Sequence, residues 1–298
     1  MSDAQVYFFD TNVLLDWLYK EISSYGVLLE KFVNSLRRDQ CAVHGITLTE
    51  VERIINDAYN VTAHIIHEEI LLKVAWDSLN VKERVRVINE IEKEFERKYE
   101  EIRKRHYSGT IPRSTVRLLL AKMFFKSLED RLIEMRGEDV RMHFPLTRRP
   151  DDIRYYVRNI KVLIAEKCTI IYDIRRTIIN NDITEKKKEL ISQAIRRYIL
   201  KSKQKGYKKS PSRYDDLIFT DLYLLVDRGV YSKIIFVTND VDFKGMYEST
   251  IEYLDEILSR GAQVGDDTIS YAKEAREILA KRLSIKSVRE VLAEYRNE

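Results

Sequence analysis

Four stretches of the sequence carry carboxylates where chemistry is done rather than where charge is merely displayed. Asp10 comes directly after the apolar run Gln5–Phe9 (QVYFF) and before Thr11 and Asn12. Asp240 and Asp242 come just past a second apolar run, in FVTNDVDF. Such uninterrupted apolar runs are what strands buried on both faces look like. In open parallel sheets the functional groups gather beyond the carboxyl ends of the strands. Two acids at two strand ends can approach one another, and a bound divalent cation is the usual way to hold ionised carboxylates together. A plainer role stands beside this for each. Asp10 could cap the following helix, and Asp240 and Asp242 could belong to an Asn/Asp-rich turn.

A third candidate comes from helix geometry. From Tyr214 onward, Ile218, Phe219, Leu222, Leu225 and Val226 form one apolar arc at about 100° per residue. Asp215 falls near the middle of that arc, with Asp216 to one side and Asp221 to the other. This selects Asp215 as the inward acid and leaves Asp216 as a first-turn acid that complements the helix dipole. Glu50, in ITLTEVER, reads from chemistry alone as an ordinary acid near a helix start.

The elements that must position these residues follow an interrupted rhythm. A strand at Gln5–Phe9, helical spacing over Val13 to Leu18, a helix over 24–37, a strand over Cys41–His44 and a helix over 47–58 predict a parallel sheet covered by helices. From about 61 to 205 no strand is expected, only long amphipathic helices. One of these opens at a capping box formed by Asn80 and Glu83 and runs toward His106. Another runs from 113 to 137, a loop covers 138–150, and a long helix starts at Asp151 and Asp152. A further helix begins near Thr184 and fades at Gly206. The α/β rhythm then returns with a helix over 214–227, ended by Gly229, and a strand at Lys233–Val237. The remainder is expected to be helical, with Ser287 and Glu290 forming another capping box. The organisation is thus one α/β domain, 1–61 with 206–298, interrupted by an all-α insertion over 62–205.

VYFFDTNVLL, ITLTEVE, SRYDDLIF and FVTNDVDF, in that order, resemble the PIN-domain nuclease family. The resemblance covers about 5–60 and 208–260 and leaves out the helical middle. It implies a PIN-like three-layer α/β/α fold around a central parallel sheet. It also implies an acidic cluster of Asp10, Glu50, Asp215 and Asp240, with Asp242 as a further metal ligand and Thr11, Asn12 and Thr238 in support. The implied activity is hydrolysis of phosphodiester bonds, with single-stranded RNA as the expected substrate, by a water activated on Mg²⁺ or Mn²⁺. All-oxygen donors suit those ions, and five His with two Cys speak against zinc.

A polyanionic substrate needs basic surface beside the acids. Lys201, Lys203, Lys205, Lys208, Lys209 and Arg213 contain no acid among them and lead into Asp215, with Tyr207 or Tyr214 available to stack on a base. Arg148 and Arg149 form a second, smaller basic candidate. A phosphotransferase of the haloacid dehalogenase kind would want a second acid two residues after Asp10, where Asn12 stands. The weightier alternative is a non-catalytic PIN-like module that binds RNA or a protein. The insertion offers a surface for a homo-oligomer or protein partner.

Composition sets the remaining bounds. Lys and Arg number 52 against 48 Asp and Glu, a net charge of +4 that permits nucleic-acid binding without demanding it. Nine Gly and four Pro in 298 residues favour long helices. No apolar run is long enough to span a membrane. Without a signal-peptide pattern and with Cys41 and Cys168 as the only cysteines, the expectation is a cytoplasmic protein with reduced thiols. Cys41 and His44, without a second pair, read as core residues.

Overall fold

The computed structural model describes residues 5–20, 23–106, 115–134, 150–172, 174, 182–204 and 211–297. They fall into two compact units, 1–49 with 164–298, and 50–163. The first unit is thus made of two separate stretches of chain. Its divisions fall inside two helices, after Thr49 and before Ile164, and not near 61 and 205.

The first unit is built on a five-stranded, wholly parallel sheet in the order β3-β2-β1-β4-β5. Its strands are β1 (Gln5–Phe9), β2 (Cys41–His44), β3 (Thr169–Ile171), β4 (Lys233–Val237) and β5 (Leu283–Lys286). The register pairs Phe8 with Ala42 and with Phe236, and Val237 with Lys286. The chain runs outward from β1 through β2 to β3, then returns to the other side of β1 as β4 and β5. The strand order therefore reverses between β1 and β4. That crevice is where ligands of open α/β sheets bind, outside the carboxyl ends of the strands.

Strand periodicity of two sends alternate side chains to opposite faces. Val6, Phe8, Ala42, Ile234, Phe236 and Leu283 pack in one cluster with residues of α7 (Asp182–Gln204), α8 (Arg213–Asp227), α9 (Val241–Arg260) and α10 (Asp266–Arg282). Phe236 meets Phe243 of α9 at 4.7 Å between ring centroids. On the opposite face, Tyr7 and Phe9 meet Phe32 of α2 (Gly26–Ser35) at 5.0 and 6.4 Å. Phe32 in turn meets Tyr295 of α11 (Val288–Asn297) at 5.4 Å. Helices thus cover both faces, with α1 (Thr11–Leu18) leading from β1 toward α2.

The structure corrects three of the sequence expectations. β3 and β5 lie where the patterning predicts only helix. They are the two edge strands, three and four residues long, and neither is fully buried along its length. They lack the continuous apolar signal that marks the central strands. In consequence β3 and α7 belong to the α/β unit, not to the insertion. The cysteines are also not free thiols: Cys41 and Cys168 form a disulfide, with Cα atoms 4.6 Å apart. They are 127 residues apart in sequence, and only the pairing of β2 with β3 makes them neighbours.

The second unit is helical throughout its described residues. It contains most of α3 (Gly45–Ile66), α4 (Val81–His106), α5 (Thr115–Glu134) and the first part of α6 (Pro150–Lys167). The capping box of Asn80 and Glu83 is present, with bonds of 2.8 and 3.1 Å in the two directions. Phe95 against Phe125 at 4.9 Å, and Tyr59 against Phe124 at 5.5 Å, join α4 and α3 to α5. The loop expected over 138–149 lies outside the described residues, as do Arg148 and Arg149. Among the described residues no helix is long and apolar enough to cross a membrane.

Candidate functional site

The sheet edge at the strand-order reversal carries a chain of polar contacts. Asp10 is the first residue past β1, and its backbone N–H donates to the Val237 carbonyl of β4 at 3.0 Å. It occupies the N-cap position of α1, yet its side chain makes no capping bond there. Instead Asp10 Oδ2 accepts a hydrogen bond of 2.8 Å from Thr238 Oγ1. The capping reading of this acid is therefore not what its side chain does. Asp10 is only 6% exposed, a costly place for a carboxylate without a partner.

Thr238 has one hydroxyl proton, and its direction is set by its neighbours. The Asp240 backbone N–H donates to Thr238 Oγ1 at 2.9 Å, so the hydroxyl proton is left for Asp10. Thr238 is itself fixed by its own N–H to the Lys286 carbonyl at 2.9 Å. Asp240 caps α9, its Oδ1 accepting from the Asp242 N–H at 2.9 Å. Asp242 is buried, and its Oδ1 accepts from the Tyr198 hydroxyl at 3.2 Å. Asp10, Thr238, Asp240 and Asp242 thus form one continuous network reaching to α7. Asp240 thus both starts a helix and belongs to the network.

A cleft of about 740 Å³ opens beside Asp240 and Asp242. Asn12, Tyr198, Lys201, Ser202 and Asn239 contribute to its walls. Asn239 is held by the first turn of α11, since Val288 N–H donates to its Oδ1 at 3.2 Å. Of the supporting residues expected from sequence, Thr238 bridges the acids, Asn12 lines the cleft and Thr11 is buried at the start of α1. Of the basic residues, Lys201, Lys203 and Arg213 are exposed, and Lys201 lines the cleft. Lys205, Tyr207, Lys208 and Lys209 lie outside the described residues.

Asp215, Asp216 and Glu50 have partners of their own. Asp215 is half-buried and completes the N-terminal capping box of α8. Its Oδ2 accepts from Ser212 N–H at 2.6 Å, while Ser212 Oγ accepts from Asp215 N–H at 3.2 Å. Asp216 accepts from Thr220 at 3.3 Å. Every residue from Ile218 to Val226 is buried, so α8 has no single inward face and the apolar arc could not single out one acid. Glu50 belongs to the second unit, where Arg53 lies 3.7 Å from it. There the buried Arg117 guanidinium feels Glu50 as well, although burial still pulls Arg117 down to about 10.

Sequence reasoning passed over one buried pair on the same sheet edge. His44 ends β2, level with Asp10 if the Phe8–Ala42 register is continued by two residues. Its Nε2 lies 3.1 Å from Asp221 Oδ2 in α8, and its Nδ1 accepts from Ile46 N–H at 3.1 Å. The acceptor role at Nδ1 makes Nε2 the protonated nitrogen, which donates to Asp221. Asp221 Oδ1 is buried with no hydrogen-bond partner among the described residues. Cys41 and His44 therefore act as core residues, as expected of a lone pair at that spacing. The signal for Asp221 was its place amid uninterrupted buried neighbours, the reverse of the arc argument.

The donor chemistry suits a hard divalent cation. Carboxylate, hydroxyl and amide oxygens surround the cleft, with no cysteine and no histidine among its described walls. Among the described residues, no three His, Cys, Asp or Glu side chains lie close enough to hold a metal by themselves. Comparison of the chain with protein-family models, curated proteins and solved structures returned no match.

Proposed function

We propose that this protein is a divalent-metal-dependent nuclease that hydrolyses phosphodiester bonds in single-stranded RNA. The observation that carries the reading is the bridge Asp10–Thr238–Asp240 across the ends of β1 and β4. The Asp10 carboxylate and the Asp240 backbone N–H, from distant parts of the chain, meet at one hydroxyl at the strand-order reversal, the place where such folds bind ligands. The motif resemblance to PIN-domain nucleases supports the same residues independently of the geometry.

A Mg²⁺ or Mn²⁺ ion bound there would supply a polarised water and neutralise charge on the phosphate. Asp10 and Asp240 would hold it together with waters, and Asp242 stands in the wall of the adjoining cleft. Thr238 fixes the Asp10 carboxylate so that its second oxygen keeps a defined direction. Lys201, in the same cleft as Asp240 and Asp242, would meet a substrate phosphate and offset the acids' repulsion of a polyanion. Glu50 and Asp215 enter the proposal through the motif resemblance alone.

One observation favours a second reading. Asp240 and Asp215 both serve helix caps, and helix capping needs no catalysis. A PIN-like module that binds RNA or a protein without cutting it would keep such caps. Cleavage of labelled single-stranded RNA and DNA with Mn²⁺, Mg²⁺ or EDTA separates the two. The nuclease reading predicts metal-dependent cutting of RNA that Asp10→Asn loses while its melting temperature holds. Cutting that survives Asp10→Asn would remove Asp10 from the mechanism, and binding of RNA with no cutting under any metal supports the other reading.

A further inference from the structure

Helix α7 lies outside the acid motifs, yet it reaches the cleft through one side chain. Tyr198 sits on it facing α9, with its ring over Gly245. A Cβ on Gly245 would fall within the space of the Tyr198 hydroxyl and ring carbons, so a side chain there would displace the ring. The close approach brings the hydroxyl to Asp242 Oδ1 at 3.2 Å. We infer that Tyr198 is a positioning residue of the candidate site: seated on Gly245, it fixes Asp242 and through it Asp240. This inference rests on the nuclease reading for its purpose, though not for its geometry.

The bonds form an ordered series. Tyr198 donates to Asp242, the Asp242 N–H donates to Asp240 Oδ1, and the Asp240 N–H donates to Thr238. Thr238 then donates to Asp10. The phenol is thus where α7 joins the network, beside Ser202 in the same cleft. A tyrosine serving only to fill space between α7 and α9 would need no hydroxyl and no glycine below it.

The test is amide hydrogen exchange on the metal-free protein, comparing wild type with Tyr198→Phe, which keeps the ring and removes the donor. The expected result is exchange about fivefold faster at Asp240 and Asp242, the loss of one net hydrogen bond, with Ile235 and Phe236 unchanged. Gly245→Ala, which displaces the ring, should give the same pattern, and the double variant should add little to either. Unaltered exchange at Asp240 and Asp242 in Tyr198→Phe, or uniform acceleration that includes β4, would overturn the inference. The second readout is Mn²⁺ affinity, expected to fall about tenfold in Tyr198→Phe. If wild type neither binds Mn²⁺ nor cuts RNA, the functional reading fails, while the exchange pattern still decides separately whether Tyr198 orders the network.

Discussion

At the scale of the residue, the decisive group is the Thr238 hydroxyl. It accepts from the Asp240 backbone N–H and donates to the Asp10 carboxylate, so it ties that acid to the turn after β4. Groups that orient a metal-binding carboxylate matter nearly as much as the carboxylate itself. Thr238→Val, which keeps the shape and removes the hydroxyl, should lower metal-dependent cleavage about 10- to 100-fold, and Thr238→Ser should restore most of it. Equal loss in both variants would mean that the methyl group, not the hydroxyl, is what the site needs. Asp10, Thr238, Asp240 and Asp242 were all legible in the sequence, because a polar residue straight after a buried strand has few other places to be. Asp221 was not, because a helix buried all round gives a helical wheel nothing to discriminate. Tyr198 was hidden for another reason: its partner Gly245 lies two helices further along the chain, and only the packing of α7 on α9 brings them together.

At the scale of the element, α7 is the piece that sequence patterning assigns to the insertion and the structure gives to the α/β unit. An ionic triad, buried at Lys187 and Asp227 and exposed at Glu274, fastens it there. Lys187 of α7 lies 3.0 Å from Asp227 at the end of α8 and 2.7 Å from Glu274 of α10. Burial pulls the Lys187 ammonium down, and the Glu274 and Asp227 carboxylates more than offset it, leaving it above the ordinary 10.5. Lys187→Met would leave Asp227 buried without its cation, and unfolding stability should fall by about 3–5 kcal/mol in chemical denaturation at neutral pH. The sign of the pH dependence follows from the raised value. The triad's contribution is complete below the unfolded lysine's range near 10.5 and is lost as pH rises through the higher folded value. Wild type and Lys187→Met should therefore converge in stability only in that alkaline range. A constant difference across it would assign the effect to packing alone. The edge strands β3 and β5 escaped the sequence for an equally physical reason: short, half-exposed strands carry neither a buried apolar run nor a clean alternation.

At the scale of the whole molecule, the chain divides in a way its composition conceals. α3 passes from one compact unit into the other after Thr49, and α6 returns after Leu163, so both boundaries lie within continuous helix. Boundaries are ordinarily read from Gly, Pro and polar linkers, and here there are none at the crossing points. What was legible was that sheet-forming segments lie on both sides of a helical middle. The disulfide of Cys41 and Cys168 likewise belongs to this scale, since it joins segments that flank that middle. The net charge of +4 is too small to identify a polyanion as the ligand, and the placement of Lys201 beside the acids supports that ligand instead. The most direct test of the proposed metal site is Mn²⁺ binding followed by electron paramagnetic resonance, in wild type, Asp10→Asn and Asp240→Asn. A site held by these two acids predicts saturable binding to wild type that each substitution weakens at least about tenfold with the fold intact. No binding to wild type, or equal binding to all three proteins, would contradict it.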